Sequence, residues 1–560
     1  MRNLYLDFFL ISRLGILLVL FSGISQLMFQ PVFGKSGQYL VATQATRNND
    51  FEIASDNYLS ILKRGTSETI IYQEALLFSV LSDDLEVAQK IAKSSDQQGL
   101  KLPAAGLISL VTSFKDEEFN RAFNLLVQYD NVLPEYLSIL VAGWKEIENG
   151  SLTAGIDLFA SLSGESRYLG LYNCAIAYAM AGDFQKSLPF LEELEGQKLK
   201  FDELQLKAMV EIYSNSNLNY KAIKLIETHD YKQNSYLFKK LLADLKNGNQ
   251  LKFSAFMTSA DALANVFYLM GNTSGDEQNN QIVSNFYIQL AEFLSDQKDY
   301  YNLRLAESLL NMRAFSYAIE KFKRVQRESE FYLRAQLGVA NSLVRSKEDK
   351  LAQKILEKLI EDGFTEFVIF DSLADIFRAN EDYQKAIKYY DTALDSIAEE
   401  ALQTKWSTFF VRGISYDQSG DWEKAKIDLE NALEFYPNHP EVLNYFGYSL
   451  IERKESLEEA LEMIESAVAQ KPQSGYIVDS LAWGLFRLGY YEEAIVPMER
   501  AIELEPHDPI VNDHLGDVLW MIGRKREAKF QWKRALLFGP TVENEKKIKK
   551  KLRYGITDLE

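Results

Sequence analysis

The chain has 560 residues, 47% of them apolar, with 61 basic against 80 acidic side chains, a net charge of −19 and a pI near 5.0. That balance disfavours nucleic acid as a partner, and 11 prolines and 29 glycines, placed largely at turns, argue against a long disordered linker. The single cysteine, Cys174, rules out an internal disulfide and reads as a buried small hydrophobe.

Residues 1–34 carry Arg2 and Arg13 ahead of an apolar run from Leu14 to Phe29. The pattern predicts a secretory signal peptide, with Val32 and Gly34 as tolerated small positions before a cut at Lys35, or alternatively an uncleaved N-terminal anchor. The run is shorter than the ~20 residues that usually span a bilayer, which favours cleavage. A buried first helix is disfavoured because the solenoid already has its first repeat after this segment. No cysteine follows the run, so lipid attachment there is excluded. Either reading makes the chain exported: periplasmic, or tethered to the inner membrane through the uncleaved signal. Gly34-Lys35-Ser36 resembles the end of a phosphate-binding loop, but Phe29 stands where a glycine is required and no strand precedes it.

Over residues 35–246 small or apolar residues recur in phase: Ala42 with Ala54, Leu76 with Ala88, Leu110 with Ala122, Gly143 with Gly155, and Ala175 with Ser187, in steps of 32 to 34. Such a period predicts short helical hairpins, each with two close-packing points. Ala208 and Leu241 extend the series, with Ala222 displaced from its expected place. Residues 247–299 match poorly and are expected to hold enlarged helical pairs, Ala260 to Met270 and Gln281 to Leu294, joined by a loop at Gly271 to Asn280. That stretch is the candidate hinge between two superhelical arms. Phase returns in the array at 300–400, with Ala306, Ala340 and Ala374 followed twelve residues later by Ala318, Ala352 and Ala386.

The strongest repeats fill 401–540. Phe409, Arg412, Gly413 and Tyr416 fall at helical spacing, Gly420-Asp421 breaks the helix, and Trp422, Ala425, Leu429, Ala432 and Pro437 follow. Gly447 with Ala460, Ala482 with Ala494 and Gly516 with Ala528 repeat the pattern. It resembles the tetratricopeptide repeat, in which small residues let two helices approach, large ones fill the seam, glycine stops the first helix and proline ends the second. The fold expected is all-α: a right-handed superhelical α-solenoid of stacked helical hairpins, about 13–15 repeats long.

Binding is expected on the first helices of the hairpins. Residues three before, one after and four after the small seam residue share a stripe pointing into the concave groove. In the last three units the stripe holds Asn444, Tyr448 and Ile451; Asp479, Trp483 and Phe486; and Asp513, Asp517 and Trp520. Exposed aromatics beside carboxylates suit an extended peptide or a helix carrying apolar and basic side chains, whereas aromatics packed between adjacent repeats would serve stability alone. The stretch 406–540 also resembles exported bacterial tetratricopeptide proteins, on Gly447, Asp479, Trp483, Asp513, His514, Gly516 and Asp517. That resemblance implies a non-enzymatic scaffold of the cell envelope, with adaptors for an envelope protease among its relatives. The change to Ala482 within Leu481-Ala482-Trp483 is conservative for seam packing.

Residues 541–560 carry Lys546, Lys547, Lys549, Lys550, Lys551 and Arg553, a basic helix that reads as a polar cap or as a contact for an anionic membrane or an acidic partner. No catalytic motif, cofactor site or metal site is expected. His507, Asp508, Asp513 and His514 form the sole imidazole–carboxylate cluster, the basis of a metal-enzyme alternative; a turn and helix start explain it more simply. A membrane-tethered structural spacer is the other alternative.

Overall fold

The computed structural model describes residues 36–129, 132–197, 201–229, 236–272 and 278–556; the signal or anchor at 1–34 lies outside them. Thirty α-helices and no strand occur among the described residues. Most of them form consecutive hairpins, and two stand alone, Tyr236–Lys246 and Val542–Tyr554. The chain divides into two compact units after Ile355, within the helix Asp349–Glu361.

The seams follow from side-chain size. In the hairpin of Pro440–Arg453 and Leu457–Gln470, a Cβ added to Gly447 would stand 2.7 Å from the Ala460 carbonyl oxygen. In the hairpin of Pro509–Met521 and Lys525–Leu537 the same addition at Gly516 would stand 2.4 Å from the Trp532 ring. Where Ser187 replaces the second alanine, its hydroxyl donates to the Ala175 carbonyl at 2.8 Å, so a polar residue serves a fully buried seam. Nearly every hairpin turn carries one residue in the left-handed region. Gly420, Gly489 and Gly523 supply it downstream, whereas Arg313, Lys347 and Glu381 adopt it at φ 63°, 66° and 60°. The extra residue in the Gly447 hairpin is absorbed by a turn with two such residues, Lys454 and Ser456. The longer interval from Ala374 to Gly413 is taken up by a 3₁₀ segment, Glu399–Lys405.

In the first unit the region expected to be a hinge is packed inside. Helices Ser259–Asn272 and Gln278–Leu294 form a pair, close to the expected bounds, and lie against Thr69–Leu81, Pro103–Lys115 and Glu135–Glu148 from the early repeats. The first of them runs through Gly271, and residues 273–277 of the expected loop fall outside the described set. Lys115 reaches Asp296 at 2.7 Å, Asp83 pairs with Lys321 at 2.7 Å, and Asn49 donates to the Met312 carbonyl at 2.9 Å. These links tie residues roughly 180 to 265 positions apart, and the helix pair within 247–299 packs among the early repeats of this unit. Cys174 is fully buried there, its thiol pushed up to about 12 by burial and the nearby Asp157 carboxylate.

Candidate groove of the second unit

Eleven helices of the second unit position the candidate residues; five first helices of hairpins present the stripe. In chain order these are α1 (Phe367–Ala379), α3 (Trp406–Gln418), α5 (Pro440–Arg453), α7 (Gly475–Arg487) and α9 (Pro509–Met521). Their second helices are α2 (Tyr383–Asp395), α4 (Trp422–Phe435), α6 (Leu457–Gln470), α8 (Tyr491–Leu504) and α10 (Lys525–Leu537), and α11 (Val542–Tyr554) closes the unit.

Along the stripe, a carboxylate on one helix accepts from a donor on the next. Thr408 donates to Asp371 at 2.9 Å. Tyr445 donates to Asp417 at 2.7 Å, and Arg453 pairs with the same carboxylate. Trp483 Nε1 donates to Glu452 at 2.6 Å, and His514 Nδ1 lies 2.9 Å from Asp479 Oδ2. Lys551 of α11 reaches Asp517 at 2.6 Å and Asp513 at 2.9 Å. Each link spans adjacent helices of the row, so polar pairs as well as apolar contacts set the stacking of one repeat on the next.

This arrangement corrects the expectation of an exposed groove set. Asp479, Trp483, Phe486 and Asp517 are only 6%, 9%, 3% and 4% exposed, too little to form a ready contact surface. Trp483 is sandwiched between His514, 3.9 Å away between centroids, and Phe486 at 4.9 Å. Trp532 Nε1 donates to Asp517 at 2.8 Å, and Trp520 packs on Trp532 and against the backbone of Gly555. Asn444, Tyr448, Asp513 and Trp520 remain half-buried. Asn444 differs from the rest because its buried Oδ1 has no hydrogen-bond partner.

Charge placement shifts the titrations. Burial alone would lower His514, but the carboxylates of Asp479, Asp513 and Asp517 outweigh it and hold the imidazole above its ordinary value. Burial pushes Asp517 up to about 6, with Asp513 acting in the same direction and Lys551 opposing. Lys551 is raised because its two carboxylates overcome its burial. Tyr448 is raised by burial and by the carboxylates of Glu452 and Asp479.

The imidazole–carboxylate cluster is taken apart by the fold. His507 packs edge-on against Phe538, Asp508 caps α9 by accepting from Ile510 and Val511, Asp513 is held by Lys551, and His514 is held by Asp479. No group of three or more His, Cys, Asp or Glu side chains among the described residues is placed to hold a metal ion. The basic tail continues the first-helix row: Lys550 lies 34 residues after Gly516, where a seam residue would stand, while Ile548 is fully buried. Lys551 could have been found by the same 34-residue step, which sets it opposite Asp517.

A row of stacked helical hairpins defines a repeat scaffold of the protein–protein interaction class. Residues 369–399 and 408–439 match models described as the tetratricopeptide repeat, so this stretch of the chain carries that repeat. The chain is 26% identical over 192 residues to the TPR repeat-containing protein PA4667 of Pseudomonas aeruginosa, covering 34% of this chain. That alignment spans 31%, about a third, of the relative's length. Among solved structures, the chain is similar to the APC/C hetero-tetramer Cut9–Hcn1, at 12% identity and a TM-score of 0.39, covering 96% of this chain and 99% of that one. It is also similar to a tetratricopeptide repeat protein from Parabacteroides merdae, at 16% identity and a TM-score of 0.37, covering 46% and 99%.

Proposed function

We propose that this protein is a non-enzymatic scaffold of the bacterial cell envelope that holds an extended segment or helix of a partner protein against the first-helix row of its second unit. Asn444 carries the reading. Its side chain is half-buried and makes no recorded hydrogen bond within the chain, which leaves its amide available to the backbone of a bound segment. Tyr448, one helical turn along, supplies a half-buried aromatic face beside it, and Trp520 supplies another further down the row. Residues 1–34 support export, and the resemblance over 406–540 makes an envelope protease the favoured partner.

The test uses Asn444→Ala and Tyr448→Phe, because neither side chain has a recorded hydrogen bond or ion pair to the next repeat and the phenylalanine keeps the ring that packs on the Trp483 cluster. Partner capture is expected to fall at least about fivefold, the loss of about 1 kcal/mol of recognition, with unchanged helical circular dichroism and melting. Unchanged capture would remove this surface. Trp483 and Asp517 are unsuitable for that purpose, since both are buried in the stack.

The chain of carboxylate–donor links from Asp371 to Lys551 favours a second reading, a stiff spacer tethered through residues 1–34. In that case the two variants change nothing and the protein retains Met1.

A further inference from the structure

Charge is unevenly placed in the second unit. Helix α6 has four glutamates and no basic residue, and α8 has four glutamates and one arginine. In α10 five basic residues stand beside one acid, and in α11 six stand beside two. A chain of net charge −19 thus gathers an excess of cations on two consecutive helices that pack against each other.

Helical spacing sorts the side chains of α10. Ala528, Trp532 and Ala535 are buried, and the opposite side carries Lys525, Arg526, Lys529, Phe530, Lys533 and Leu537, all exposed. The one acid of this helix, Glu527, is bound by Arg524 at 2.9 Å, whereas Arg526, Lys529 and Lys533 have no ion pair among the described residues. Phe530 and Leu537 are 59% and 79% exposed among these cations. The same character continues five residues on, where Val542 opens α11 at 70% exposure. Both acids of α11 are taken up, Glu543 by Lys547 and Glu545 by Lys549, while Lys546 and Lys550 stay exposed. Apolar side chains left in water on such a face mark a contact surface.

We infer that the exposed face of α10, with the start of α11, rests on a membrane surface of anionic lipid. Its lysines and Arg526 lie at the level of the lipid phosphates, and Phe530 and Leu537 enter the boundary between headgroups and acyl chains. Cations interleaved with exposed apolar side chains are what holds a helix in the plane of an anionic bilayer. Phe530 and Leu537 protrude from the helix, which suits insertion between headgroups better than the seating of a partner's side chain. No described helix is long and apolar enough to cross a bilayer, so the contact is made at the surface. The glutamates of α6 and α8 are repelled by that same surface, which confines the contact to α10 and α11.

An environment-sensitive dye on the full chain tests this. Leu537→Cys supplies one exposed thiol for the dye, since Cys174 is fully buried. Vesicles of equal parts phosphatidylglycerol and phosphatidylcholine should shift the dye emission to the blue, phosphatidylcholine vesicles should not, and high salt should reverse the shift. The neutral vesicles also separate this contact from insertion of the apolar run at 14–29, which needs no anionic lipid. Lys529→Gln with Lys533→Gln should raise the lipid concentration at half-maximal shift by about fivefold for each charge removed, with unchanged helical circular dichroism. Lys388→Gln, which removes an exposed charge from α2, should leave that concentration unchanged. No shift with the anionic vesicles overturns the inference, as does an equal shift with the neutral ones or a shift indifferent to the Lys529/Lys533 change. A shift with polyglutamate but not with vesicles overturns it too and assigns the face to an acidic protein. The groove variants Asn444→Ala and Tyr448→Phe leave the shift intact, so loss of partner capture and loss of lipid contact are separate outcomes.

Discussion

Replacing Lys551 with methionine probes the end of the polar row most sharply. The lysine is the one cation bonded to both Asp513 and Asp517, whose side chains are 15% and 6% exposed, and its own side chain is 21% exposed. Breaking a fully buried pair by removing one partner costs 3–5 kcal/mol; the partial exposure here lowers the expected loss to about 2–3 kcal/mol at neutral pH. The loss should depend on pH. Asp517 has a folded pKa of about 6, above the ordinary carboxylate range, so it is largely protonated at pH 5 and needs the cation less there. The penalty is therefore smaller at pH 5 than at pH 8. Hydrogen exchange over 542–556 reads local opening of α11 without assuming that a repeat array unfolds as one unit. Adding Asp517→Asn should return most of the lost protection. Equal protection in the variant and the parent at pH 8, or a loss that does not change with pH, would refute the reasoning.

Gly447→Ala should destabilise the protein by about 1–3 kcal/mol, because the added methyl meets backbone, whereas Gly413→Ala, with neighbours at 3.2–3.3 Å and a gain in helix propensity, should stay within about 0.5 kcal/mol of the parent; denaturant midpoints distinguish them. Lys347→Gly and Glu381→Gly each relieve a left-handed turn and should raise stability by about 0.5–1 kcal/mol in the same assay. The His514–Asp479 link should stabilise fully below the ordinary histidine pKa and fade as pH rises through the raised folded value; comparing exchange in α7 and α9 across pH 6–9 in the parent and in His514→Asn reads this out. A flat profile in the parent would contradict it.

The hairpins of 401–540 were legible because glycine stops, small seam residues and closing prolines all fell in phase. Upstream, the same turns were hidden because Arg313, Lys347 and Glu381 take a conformation that sequence patterns assign to glycine, and Ser187 does an alanine's work through a hydroxyl bond. Helical spacing put the stripe residues on the first helices but said nothing of their burial, since that depends on the next repeat: Asp479 finds His514 and Asp517 finds Lys551, more than 30 residues away. The interior position of 247–299 was equally out of reach, because it rests on contacts such as Lys115 with Asp296.

A photoreactive side chain in place of Tyr448, activated in intact envelopes, tests the scaffold reading most directly when the crosslinked peptides and the mature N-terminus are read together by mass spectrometry. The account predicts a chain beginning near Lys35, joined to one stoichiometric partner, an envelope protease foremost, with the crosslink lost on adding Asn444→Ala. An intact Met1 with no stoichiometric crosslink at position 448 would contradict it and leave the tethered spacer.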